Sequence, residues 1–125
     1  MKKVISTDNA PEAIGPYSQA ILANDTLYCS GQIALDPSTG NLVIDSIENE
    51  TVQVMKNVGE VLKAADMSYR NIVKASIFMS SMDHYATVNE VYSKYFTDNP
   101  PAREALAVKT LPKNVNVEIS VTAIK

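Results

Sequence analysis

From Ser46 to Ala65 the apolar residues Val54, Val58, Val61, Leu62 and Ala65 recur at helical spacing and form one stripe. Glu50, Gln53, Asn57, Glu60 and Lys63 are read as the polar face of the same helix. A second helix is predicted after Asp83, whose side chain suits an N-cap, with Tyr85, Val88, Tyr92 and Tyr95 sharing a face. Pro100-Pro101 lies beyond its end.

The remaining patterns alternate or are punctuated by turn residues. Residues 4–6 open with a short strand, and the Asn9-Ala10-Pro11 and Ile14-Gly15-Pro16 clusters then enforce a loop. Residues 17–23 and 26–33 read as a hairpin around Asn24-Asp25. The cluster Asp36-Pro37-Ser38-Thr39-Gly40 is a turn, and residues 41–44 follow as a brief strand. Residues 72–79, 103–109 and 115–124 complete the set, the last two joined by a turn at Leu111-Pro112-Lys113-Asn114. In the final strand Val115, Val117, Ile119 and Val121 alternate with Asn116, Glu118, Ser120 and Thr122. The order βββ(β)αβαββ predicts an α+β fold in which both helices cover one face of a mixed sheet. The other face, polar and small, either meets solvent or packs against identical subunits around a polar cavity, the second being the expectation.

Composition narrows the function classes. A chain of 125 residues, 46% hydrophobic and 20% charged, supports a single globular domain over 1–125. Net charge is −3, pI is near 5.0 and the lysines are scattered, so there is no field for a polyphosphate and no nucleic-acid partner is expected. No apolar run approaches the roughly 18 residues of a membrane span, and a cytoplasmic protein is expected. With one cysteine, Cys29, and one histidine, His84, neither an internal disulfide nor a four-ligand zinc site can be built, so no metal is expected.

The segments Ile14-Gly15-Pro16-Tyr17-Ser18-Gln19, Ser30-Gly31-Gln32-Ile33, Pro101-Ala102-Arg103, Leu111-Pro112 and Val117-Glu118-Ile119 occur in this order. Together with Thr87-Val88-Asn89 and the Asp36 to Gly40 turn, they resemble the RidA/YjgF family over nearly the entire chain. Separated motifs agreeing at once are far more specific than any one of them. The resemblance implies a chorismate-mutase-like subunit with a mixed six-stranded sheet and two helices on one face. It also implies a homotrimer whose sheets line a central barrel, with sites between neighbours and no cofactor. The implied activity is hydrolysis of reactive enamines and imines, such as 2-aminoacrylate and 2-aminocrotonate, to 2-keto acids and ammonia. The family's functional positions correspond to Tyr17, Ser30, Gly31, Arg103 and Glu118.

These residue types suit that chemistry. Arg103 offers a planar fork for a carboxylate, and Glu118 is the candidate acid/base beside a water. The Ser30 hydroxyl and Gly31 N–H are candidates for binding the same carboxylate or the water, and Tyr17 for closing the cleft. The guanidinium and the carboxyl group are expected to meet where protomers abut. After the arginine, many relatives carry a small or thiol pair, whereas this chain has Glu104-Ala105. Glu104 is expected to point away from the Arg103 face, and Ala105 to share it and leave the pocket roomier.

Blander roles compete: a structural ion pair for Arg103, an exposed position for Glu118, plain hairpin positions for Ser30 and Tyr17. Cys29 is expected to fill core, His84 to lie at the surface and the tyrosine stripe to pack. Two rival functions are a trimeric 2-keto acid binder without turnover and an endoribonuclease or translation inhibitor. The acidic charge opposes the latter.

Overall fold

A computed structural model describes all 125 residues. Six strands, β1 (Lys2–Ile5), β2 (Ala20–Ala23), β3 (Thr26–Cys29), β4 (Ile72–Met79), β5 (Ala102–Ala107) and β6 (Val117–Ile124), form one sheet in the order β1-β2-β3-β6-β4-β5. Only the β4–β5 pair is parallel, its crossover being helix α2 (Tyr85–Ser93). Helix α1 (Ile47–Ala64) packs against β6 and α2.

The predicted stripe of α1 is the core: Val54, Val58, Val61, Leu62 and Ala65 are buried against Ala75, Ile77 and Met79 of β4 and Val117, Ile119 and Val121 of β6. Ser46 caps α1 by accepting the Asn49 N–H at 3.1 Å. The opposite sheet face stays open, with Ser76, Ser120 and Thr122 partly exposed and Tyr28, Lys74 and Glu104 exposed. Lys74 pairs with Glu104 there at 3.1 Å, and Ser76 donates to Glu104 as well.

Several expectations change. Glu50 and Asn57, assigned to a polar face, are fully buried. Asn57 donates to the carbonyls of Ile33 and Leu35, both at 2.9 Å, and so stitches the Gly31-side loop to α1. Glu50 accepts from the N–H of Asn116 at 2.7 Å, from Asn116 Nδ2 at 2.9 Å and from the N–H of Val117 at 2.9 Å. A buried carboxylate is tolerated when several donors replace its water, and here they fix the start of β6. Ser81, not Asp83, caps the turn into α2, accepting the Asp83 N–H at 3.0 Å. The hairpin strands are shorter than predicted, because residues 17–19 and 30–33 follow loop paths set by side-chain hydrogen bonds, and residues 41–44 retain only a Leu35–Leu42 bridge. Asn24 takes the left-handed conformation, φ 54°, that the tight turn requires.

Glu50→Ala would leave the two backbone donors unpaired and is expected to cost about 2–4 kcal/mol. Glu50→Gln keeps one oxygen on them and should cost less than half as much. Urea unfolding midpoints check this ordering, and equal losses would contradict it.

Candidate active site

Strand alternation places the expected site residues. Arg103 pairs with Ala75 and Ala75 with Val121, so Arg103 lies on the helix-covered face. Glu118 pairs with Phe78, on the alternate positions of the same strands, and lies on the open face. Within one chain the two residues are therefore on opposite sides of the sheet. The expected residues fall into two clusters, which are candidate half-sites.

The first is built on the loop before β2 and the end of β3. Gln19, 5% exposed, accepts the Thr7 N–H at 2.6 Å and donates through Nε2 to the carbonyls of Thr7, Ala10 and Pro11 at 3.0, 3.3 and 2.8 Å. One amide side chain thus substitutes for regular pairing along a proline-rich segment. Ser30 joins this loop through its N–H to the Gln19 carbonyl at 2.9 Å and its hydroxyl to the Ser18 carbonyl at 2.6 Å. The Ser30 proton is thereby committed, which leaves its oxygen as an acceptor. Tyr17 stands exposed at the rim.

Gln32 exchanges backbone hydrogen bonds with Ile119, at 2.8 and 3.1 Å, and this bridge sets Gly31 beside Glu118. A Cβ at Gly31 would overlap the Glu118 carboxylate, so the absence of a side chain is what admits it. The Gly31 N–H donates to no atom of the chain. Burial without a cationic partner pushes the Glu118 carboxyl above its ordinary value of 4.5. A pocket of about 280 Å³, lined by Tyr17, Gly31, Ile33, Leu35 and Pro112 among others, opens on the same edge.

The second half-site is an arginine cradle on α2. Arg103 donates through Nη1 to Asn89 Oδ1 and through Nη2 to the Tyr85 hydroxyl, both at 2.7 Å. Its Cζ lies 5.6 Å from the Tyr85 ring centre and 5.2 Å from that of Tyr92, within cation–π range. No carboxylate pairs with it, since the sole ion pair of the chain is Lys74–Glu104. The structural ion pair considered for Arg103 is therefore absent.

The stripe expected to be plain packing does pack, Tyr92 being buried, but Tyr85 and Tyr92 also carry the guanidinium. The sequence pattern gives Tyr85 only a packing role and Asn89 only a place in the Thr87-Val88-Asn89 stretch. Their i, i+4 spacing, continued to Tyr92 at i+7, is the signal that points to a shared acceptor face. Ala105 shares the Arg103 side of β5, and Glu104 points away to Ser76 and Lys74, as expected. Cys29 sits on the core side with Leu27, its thiol pushed up to about 12 by burial, which leaves it unreactive. His84 is half-buried in the turn before α2.

A family model described as endoribonuclease L-PSP matches residues 7–125. The human 2-iminobutanoate/2-iminopropanoate deaminase is 48% identical over 125 residues, covering 100% of this chain and 91% of that protein. A RutC family protein of Pyrococcus horikoshii is 46% identical over 100% of this chain and 99% of its own length. Among solved structures, a Rid family protein of Yersinia pestis superposes with a TM-score of 0.97 at 48% identity, covering 100% of both chains. Escherichia coli TdcF with bound serine gives 0.94 at 34%, covering 98% of each. A family match along nearly the whole length, with relatives close to half identical, establishes that the chain belongs to the RidA/YjgF family.

Proposed function

We propose that the chain hydrolyses small 2-imino acids and their enamine tautomers, of the 2-aminoacrylate and 2-aminocrotonate type, to 2-keto acids and ammonia. It does so as one domain that assembles into a homotrimer with sites between neighbouring copies. The observation that carries this reading is the Arg103 guanidinium, held by two neutral oxygens over two rings and facing no carboxylate. Its charge is fixed in place and left for a ligand to neutralise. The names of the close relatives support the same substrate class, and the serine of TdcF is a small amino carboxylate.

Because Arg103 and Glu118 occupy opposite faces of one sheet, a single copy cannot bracket a small anion between them. A second copy supplies the missing half, and the open polar faces of three sheets enclose a central barrel. In the assembled cleft the carboxylate sits on the Arg103 fork and the free Gly31 N–H, with Tyr17 closing the mouth. The Ser30 oxygen accepts from the water. Glu118 takes a proton from that water as its oxygen bonds to C2 of the iminium, and the C=N π pair moves to nitrogen. The proton then passes to nitrogen, the C–N bond breaks with its pair, and the hydroxyl proton follows the departing ammonia. The keto acid remains. Neither a covalent nucleophile nor a cofactor is called for, since positioning and one shuttled proton suffice for an imine that already hydrolyses in water.

Ammonia and keto acid release from 2-aminocrotonate generated in situ should exceed the uncatalysed rate, and Arg103→Ala should lower kcat/KM by about 10²-fold. No acceleration would defeat the deaminase reading, and 2-keto acid binding without turnover would mark a sensor.

A base must be deprotonated, so kcat/KM should rise with pH through a value above 4.5, where burial has moved Glu118. Glu118→Gln should remove that limb and lower kcat by roughly 10²–10⁴. A limb that persists in the variant would take Glu118 out of the role.

A further inference from the structure

The cradle of Arg103 holds a detail that the deaminase reading does not use. A long arginine side chain gains two-point grip on a carboxylate only if the plane of its guanidinium is fixed, and a single hydrogen bond leaves rotation about that contact. Asn89 Oδ1 supplies one fixed point, on Nη1, at 2.7 Å. The Tyr85 hydroxyl supplies the other, on Nη2, also at 2.7 Å. Both acceptors project from α2 one turn apart, so their spacing is that of the helix itself. Both are neutral, and they constrain the cation without cancelling its charge. The Tyr85 ring, 5.6 Å from Cζ, adds a second restraint from the face.

We propose that the Tyr85 hydroxyl is the positioning group that turns Arg103 toward the substrate carboxylate, so that affinity for 2-imino and 2-keto acids depends on one phenolic oxygen on α2. This rests on the reading of Arg103 as the carboxylate anchor. Two of the five guanidinium N–H groups are spent on α2, and three are left for the ligand. Without the hydroxyl the ring still packs and still stacks, but the guanidinium can pivot about Asn89. The loss falls on carboxylate capture. The proton transfers at Glu118 of the neighbouring copy are untouched.

Tyr85→Phe removes only that oxygen. The expected result is a rise of about 5- to 10-fold in KM and in the dissociation constant for 2-oxobutanoate, the size of one net hydrogen bond lost at a half-buried site. kcat should stay within about twofold and the melting temperature should not move. In an Arg103→Lys background, where no fork remains to orient, Tyr85→Phe should add nothing. An unchanged KM and dissociation constant in Tyr85→Phe, a loss confined to kcat, or an equal penalty in the Arg103→Lys background would overturn the proposal while leaving the deaminase reading intact. A wild-type protein that neither binds 2-oxobutanoate nor releases ammonia would overturn both.

Discussion

A guanidinium half withdrawn from water ordinarily finds a carboxylate, because an unpaired charge away from solvent is costly. Arg103 instead rests on the amide oxygen of Asn89, the hydroxyl of Tyr85 and the faces of two tyrosine rings. These groups lower the cost of holding the cation without removing its charge. The neighbouring Glu104, which would neutralise it from the same strand face, points to the other side and is taken up by Lys74 and Ser76. The alternation of β5 thus keeps an acid next in sequence from becoming an acid next in space. Everything proposed for the site follows from this retained charge.

The same alternation governs Glu118, and it explains why a chain with every expected residue still divides them between two candidate half-sites. Glu118 stands on the open face, framed by Gly31, whose lack of a side chain makes room for the carboxylate. The support beneath it is the buried Glu50, which holds the backbone of Asn116 and Val117, the two residues immediately before Glu118. Gln19 does the corresponding work for the Tyr17 and Ser30 segment. This half-site is held by polar side chains buried in the packing, while the groups that meet a ligand stay accessible.

The element order and the core were legible because burial imposes periodicity: the α1 stripe and the alternating residues of β6 announce which side is dry. Glu50 and Asn57 were misassigned for the same reason. Periodicity arguments treat a polar residue as solvent-facing, yet buried polar residues serve backbone groups that lie 22 or more residues away in sequence. The motif residues Tyr17, Ser30, Gly31, Arg103 and Glu118 were identified as a set through family resemblance, whereas their division between the two sheet faces became visible only with strand register. Tyr85 was read as packing because an aromatic stripe on a helix has the same sequence pattern whether its hydroxyls are idle or hold a cation.

The central claim is that one copy's Arg103 and another copy's Glu118 act on the same substrate. Mixing Arg103→Ala and Glu118→Gln proteins, each inactive alone, after reversible dissociation tests it most directly. Random reassembly gives a wild-type pairing at about one site in four, so activity should return to about a quarter of the wild-type value. A mixture that reassembles fully and remains as inactive as its parents would contradict a site shared between copies.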